Sequence, residues 1–111
     1  MRHFKDIAQG IVWTLDDSGA EFWPGIPDAS LDAMGEIVLV EQPKFYREYR
    51  AGEVFCVIET LKKVYELAVP CDCRCVCEGD YLRGIQPPLG AFVGLPDFSG
   101  ENYEEVEAVE P

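Results

Sequence analysis

Residues 54–69 read VFCVIETLKKVYELAV. Val54 to Thr60 and Val64 to Val69 are apolar, β-branched stretches separated by Leu61-Lys62-Lys63, a pattern that fits two strands joined by a short turn. With Leu61 and Lys62 as a two-residue turn, Thr60 faces Lys63, Glu59 faces Val64 and Ile58 faces Tyr65. The tip carries none of the Asn-Gly or glycine signals of the favoured hairpin turns, so the pattern permits this register without proving it. A lysine lifted on such a tip holds its ammonium far from the core and open to a modifying enzyme. The plain alternative is two solvated surface lysines, which are common.

Outward from the hairpin, short apolar runs alternate with turn residues. Gly10 to Leu15 and Ala20 to Trp23 flank Asp16-Asp17-Ser18-Gly19, which reads as a further hairpin. Pro27-Asp28 offers a helix start with Asp28 as cap, Leu31 and Met34 on one face and Gly35 as terminator, hence one or two turns. Glu36 to Glu41 (EIVLVE) reads as a strand bounded by Gly35 and Pro43. Lys44 to Arg50 is a charged aromatic connector. Beyond Pro70, Cys71, Cys73, Cys75 and Cys77 alternate with Asp72, Arg74 and Val76, a period of two that places all four thiols on one face of a strand. This run ends at the turn Glu78-Gly79-Asp80. Tyr81 to Gly100 reads as irregular chain, and the stretch after Gly100 as solvated. Many short strands, Gly/Pro turns and almost no helix predict an all-β sandwich or barrel.

Composition narrows the function classes. The chain has 111 residues, enough for one domain. Its 48% hydrophobic and 12% aromatic content supports a packed core. A formal charge of −12 argues against nucleic-acid and anionic-membrane partners, which need a basic footprint, and favours basic protein surfaces. The segment from Glu101 to Pro111 carries acids and no base, yet most of the excess acid belongs to the body. No apolar run approaches the roughly 20 residues of a membrane span, and Met1 to Trp13 lacks a signal-like pattern, so the expected location is cytoplasmic. Five cysteines without an export signal are expected to be free thiols. His3 is the only histidine and is expected near a frayed end, which disfavours His-based catalysis and makes an enzyme the minority reading.

The central segment resembles the attachment hairpin of H-proteins, the carrier subunits of the glycine cleavage system. Their run AGE-x-F-x-V-hydrophobic-ES-V-K is similar to Ala51-Gly52-Glu53-Val54-Phe55-Cys56-Val57-Ile58-Glu59-Thr60-Leu61-Lys62. Upstream, the family's GI-x-D, short helix and G-D/E-I-V-x-V-E-x-P resemble Gly25-Ile26-Pro27-Asp28 and Gly35-Glu36-Ile37-Val38-Leu39-Val40-Glu41-Gln42-Pro43. The resemblance runs ungapped from about Gly25 to Pro70. Lipoyl domains of 2-oxoacid dehydrogenases have a similar ETDKA-x-x-E hairpin, shared by Glu59 to Glu66 except at Leu61 and Lys63. Biotinyl hairpins resemble Met-Lys-Met, unlike Leu61-Lys62-Lys63.

This resemblance implies a lipoyl-domain fold, a flattened barrel-sandwich of two similar halves with a short helix over residues 1–100, followed by an acidic tail over 101–111. It implies lipoate in covalent linkage to Lys62, with Glu59 in recognition by the lipoylating enzyme, a lipoate ligase or lipoyl/octanoyl transferase. The implied partners are glycine decarboxylase, aminomethyltransferase and dihydrolipoyl dehydrogenase, between which a non-catalytic carrier moves an aminomethyl group or reducing equivalents. The chain departs from the family in lacking the opening His-x-Trp element, of which Trp13 alone remains, and in lacking P-V-S/D-G-x-V after the hairpin and the closing P-Y-G-x-G-W region. An auxiliary H-like carrier outside glycine cleavage, linked to ADP-ribosylation or sulfur metabolism, therefore stands beside the first reading. So does an unmodified Cys-rich redox or metal-binding protein on the same fold.

The cysteine run has its own alternatives. Alternate strand residues lie about 6.6–6.8 Å apart, at the upper limit of Cα separation for a disulfide, so neighbours on a straight strand should not pair. A straight C-x-C-x-C-x-C strand also fits tetrahedral metal ligation poorly, and no metal ligand set is assigned. Buried small apolar packing is the leading reading, ahead of redox or metal chemistry and of exposed thiols. Trp13, Trp23, Phe22, Phe45 and Tyr46 read as packing rather than a ligand cage. Asp16-Asp17 reads as a turn rather than a calcium loop.

Overall fold

The computed structural model describes residues 1–77 and 89–107. Its elements run β1 (Arg2–Asp6), β2 (Ile11–Leu15), β3 (Glu21–Gly25), α1 (Asp28–Met34), β4 (Ile37–Glu41), β5 (Glu48–Tyr49), β6 (Val54–Thr60), β7 (Val64–Ala68), β8 (Cys73–Cys77), β9 (Ala91–Gly94) and β10 (Tyr103–Val106). They form a seven-stranded sheet, ordered β10-β1-β2-β3-β9-β8-β5, and a three-stranded sheet, β4-β6-β7. All the described pairings are antiparallel. This is the expected all-β sandwich with one short helix. Among the described residues no helix is long and apolar enough to cross a membrane.

The hairpins follow from local chemistry. Between β2 and β3, the Asp16 carboxylate accepts from the Ser18 hydroxyl at 2.6 Å and from the Glu21 amide at 3.2 Å. Gly19 occupies a positive φ of 77° in that turn, a conformation glycine adopts without steric cost. The Ser18 hydrogen bond holds the exposed Asp16 carboxyl below its ordinary pKa. Helix α1 starts one residue earlier than expected. Pro27 is the cap residue, its carbonyl accepting from Ser30 and Leu31 at 2.9 and 3.0 Å, and Asp28 is the first helical residue rather than the cap. A carboxylate in the first turn still complements the helix dipole. Gly35, at φ 84°, ends the helix and redirects the chain into β4.

The two sheets share one aromatic core. Trp13, Phe22 and Phe92 of the larger sheet meet Phe55 of the smaller one, with centroid separations of 5.6 Å for Trp13–Phe55 and 5.2 Å for Phe55–Phe92. Trp13, Phe22, Ile58 and Phe92 have no exposed surface. Burying such side chains contributes about 1.5–3 kcal/mol each. A polar clasp accompanies them. Asp6, nearly buried, accepts from the Trp13 indole at 3.2 Å and the Gln9 amide group at 2.7 Å. Gln9 also donates to the Ala68 carbonyl at 3.0 Å and accepts from the Ala68 amide at 2.6 Å, so its side chain caps the edge of β7 as a neighbouring strand would.

Several expectations are corrected by long-range pairing. His3 is not frayed: it lies in β1 between β2 and β10, and its Nδ1 is 2.9 Å from the Thr14 hydroxyl. The connector at 44–50 contains β5, paired with β8, and the stretch read as irregular contains β9. The segment after Gly100 contributes β10 to the sheet edge, where Arg2 makes a two-pronged hydrogen bond to Glu105 at 2.8 and 2.9 Å. The expected turn at 78–80, and residues 81–88 and 108–111, lie outside the described residues. Trp13 and Phe22 are core as expected, whereas Phe45 and Tyr46 form an exposed ring pair 4.0 Å apart.

Candidate functional site: the hairpin tip and the cysteine strand

Strands β6 and β7 pair in the register read from the sequence, Glu59 opposite Val64 and Ile58 opposite Tyr65. The Thr60 amide donates to the Lys63 carbonyl at 2.9 Å, leaving Leu61 and Lys62 as the two turn residues. No residue of this turn has positive φ, which explains the lack of glycine or asparagine. A threonine takes over instead. Buried Thr60 turns its hydroxyl into the loop, where it accepts from the amides of Lys62 at 3.1 Å and Lys63 at 3.2 Å and donates to the Lys63 carbonyl at 3.1 Å. The Leu61 amide donates to the Glu36 carbonyl at 3.0 Å, tying the tip to the chain that enters β4.

The two lysines differ. Lys63 sets its ammonium 4.6 Å from the Tyr65 ring centroid, a cation–π contact. Lys62 is exposed, and its ammonium makes no hydrogen bond or ion pair among the described residues. Its aliphatic stem crosses Gly35: a Cβ built there would lie 3.3 Å from Lys62 Cε and 3.6 Å from Cγ. Glycine therefore does two jobs at 35, accepting positive φ and giving the stem a flat seat. The sequence marked Gly35 as a helix terminator, but nothing local signals the seat, which depends on α1 meeting the distant tip.

Glu59 is exposed on the outer face of the small sheet, in a row with Leu39 and Val64. The next row on this face is Glu41, Val57 and Glu66. Three carboxylates thus alternate with apolar side chains beneath the tip, and Leu39 and Val64 are 47% and 54% exposed, a surface suited to a partner with basic and apolar groups.

The cysteine run divides into unlike positions. Strand β8 starts at Cys73, so Cys71 lies in a bend outside the ladder. Cys73 and Cys75 are buried, as the packing reading expects. A register shift between Cys75 and Cys77 breaks the period of two, and Cys77 is exposed, so the four thiols do not form one stripe. Cys75 donates to the Cys77 carbonyl at 3.3 Å. Among the described residues no group of three or more His, Cys, Asp or Glu side chains could hold a metal ion.

Fold and tip together define a class: an all-β barrel-sandwich that presents a lysine on a fixed two-residue hairpin turn. The chain's similarities fall within that class. A glycine cleavage system H protein of Chromohalobacter salexigens is 41% identical over 58 residues, 52% of this chain and 44% of that protein. One from Deinococcus deserti is 35% identical over 60 residues, covering 54% and 50%. The matches span about half the length of these curated relatives. The crystal structure of a glycine cleavage system H protein from Mycobacterium marinum superposes with a TM-score of 0.64, covering 89% of this chain and 87% of that one at 20% identity. The chain matches no family model. It is thus similar to glycine cleavage H proteins in sequence through about half its length, and it shares the fold of such a protein through most of it.

Proposed function

We propose that the protein is a lipoyl carrier in which Lys62 is the attachment site. The observation that carries this reading is the tip itself: an exposed ammonium, without a partner among the described residues, on a turn fixed by Thr60 and Glu36, beside a second lysine engaged with Tyr65. The donor chemistry fits, because a primary amine forms the required amide and the exposed tip admits a modifying enzyme. The lipoyl group, once joined to Lys62 Nζ, supplies a dithiolane that takes up and releases a cargo as its disulfide opens and closes.

Everything else falls to the chain. The rigid turn sets the root of the arm, and Gly35 leaves the stem room to lie flat or lift. Glu59 serves recognition by the lipoylating enzyme, a lipoate ligase or lipoyl/octanoyl transferase, with Glu41 and Glu66 adding to the same acidic face. That face and the overall charge of −12 steer basic partner surfaces and raise association rates at low salt. The chain catalyses no step. Its contribution is the high effective concentration of a tethered group at each partner. Glycine decarboxylase, aminomethyltransferase and dihydrolipoyl dehydrogenase are the proposed partners. An auxiliary carrier outside glycine cleavage is the second reading, favoured by the cysteine segment that follows Pro70.

The test is intact mass after incubation with lipoate, ATP and a lipoate ligase, beside Lys62→Arg. One lipoyl increment on the wild type alone is expected. An increment on Lys62→Arg would remove the site assignment.

A further inference from the structure

The far end of the same hairpin holds a second chemical centre. Six strand steps separate Val54 from Thr60, about 20 Å at the usual rise, and Cys71 lies three residues beyond β7, at the end away from Lys62. Cys71 is half-buried in a surface groove lined with Ala51, Pro70, Asp72, Gly94, Leu95 and Asp97. Behind it, Cys73 is buried at the start of β8. Gly94, paired with Cys73 across β8 and β9, makes room for both: a Cβ there would lie 3.3 Å from Cys71 Sγ and 3.0 Å from Cys73 Cβ. The strand spacing that keeps alternate cysteines apart does not apply here, because Cys71 sits in the bend before the ladder.

We propose that Cys71 and Cys73 form a thiol–disulfide exchange site for low-molecular-weight disulfides of neutral or positive charge, closing to an intramolecular disulfide. Cys71 is the attacking group. It is held below the ordinary thiol pKa, foremost by the hydrogen bond from Cys73 and further by the Leu95 amide, against partial burial and the Asp72 charge. Cys73 is pushed up, foremost by its hydrogen bond to Cys71 and then by burial, so it keeps its proton while Cys71 is a thiolate. The thiolate of Cys71 attacks one sulfur of the disulfide, forming a mixed disulfide and expelling one thiolate, which takes up a proton. Neutralising Cys71 removes the charge that held the proton on Cys73. Cys73 then loses its proton to solvent and attacks Cys71 Sγ, expelling the second thiol. Two protein thiols are oxidised and one external disulfide is reduced to two thiols, so atoms and electrons balance. Asp72 and Asp97 at the groove repel anionic disulfides, which sets the charge preference.

The proposal goes beyond carriage on Lys62 and does not rest on it. The test treats the full chain with cystamine, hydroxyethyl disulfide or glutathione disulfide and maps the products by peptide mass. The expected wild-type product is a Cys71–Cys73 crosslink, formed faster with the cationic and neutral reagents than with anionic glutathione disulfide. Cys73→Ala is expected to lose the crosslink and trap an adduct on Cys71, while Cys71→Ser, altered at the half-exposed position, loses both. Lys62→Arg should react as the wild type does. A stable Cys71 adduct in the wild type without a crosslink, or modification confined to Cys77, would overturn the proposal; fastest reaction with glutathione disulfide would overturn its charge preference.

Discussion

Cys56 and Cys71 sit on or beside the same hairpin and behave in opposite ways. Cys56, in the middle of β6, is 1% exposed, and burial, with a lesser effect of Glu41, pushes its thiol up to about 12. Cys71, just past β7, opens onto a groove and is held low by its neighbours. Residue type is the same, so environment alone makes one thiol an inert piece of core and the other a nucleophile. The tip of the hairpin repeats the contrast between Lys62, whose ammonium is unpartnered among the described residues, and Lys63, lodged over Tyr65. Reactive groups here occur where the sandwich stops packing.

The strongest way to break that contrast is to remove the core on which both ends depend. Trp13→Ala deletes a side chain with no exposed surface and three aromatic neighbours, and should lower stability by about 3–5 kcal/mol in urea unfolding. Cys56 should then become open to alkylation, erasing its difference from Cys71. A loss below about 1 kcal/mol would mean the core is not shared.

A second approach uses pH. Because the pKa of Cys56 is raised on folding, the proton is bound more tightly in the native state. Stability is therefore fully retained below the unfolded thiol value of about 8.5 and falls as pH rises towards the folded value of about 12. The slope from this one group approaches about 1.4 kcal/mol per pH unit within that window. Unfolding of Cys56→Ala at pH steps through the same range should lack this component. An identical slope in both proteins would place the responsible group elsewhere.

A smaller change sharpens the picture of the tip. Thr60→Val keeps the shape but removes the oxygen that accepts from Lys62 and Lys63, and should cost about 1–2 kcal/mol, with Thr60→Ser restoring most of it. Amide hydrogen exchange at Lys62 and Lys63 should speed up in the valine variant and not in the serine one. Equal exchange in both would mean that the hydroxyl does not hold the turn.

The tip and the cysteine end also differ in how much of them the sequence reveals. The hairpin register was legible because it depends on adjacent residues: two β-branched runs, one turn and a period of two. The sandwich class followed from the same local signals. The edges were not legible. Strand β10 joins β1 across almost the whole chain, so its YEEV reads as a solvated acidic segment until Phe4, Lys5 and Asp6 supply a partner. Strand β5 is only two residues long and owes its existence to β8. The alternating cysteines predicted a single thiol face, but the irregularity after Cys75 and the bend before Cys73 divide it. The seat at Gly35 and the groove at Cys71 both arise where segments distant in sequence meet.

The central claim is that this fold presents one particular amine. Peptide-level mapping of the enzymatically lipoylated wild-type chain tests it most directly, because Lys62 and Lys63 are adjacent and differ only in their surroundings. The account predicts the lipoyl group on Lys62 and an unmodified Lys63. Modification at Lys63, or at both residues alike, would contradict it.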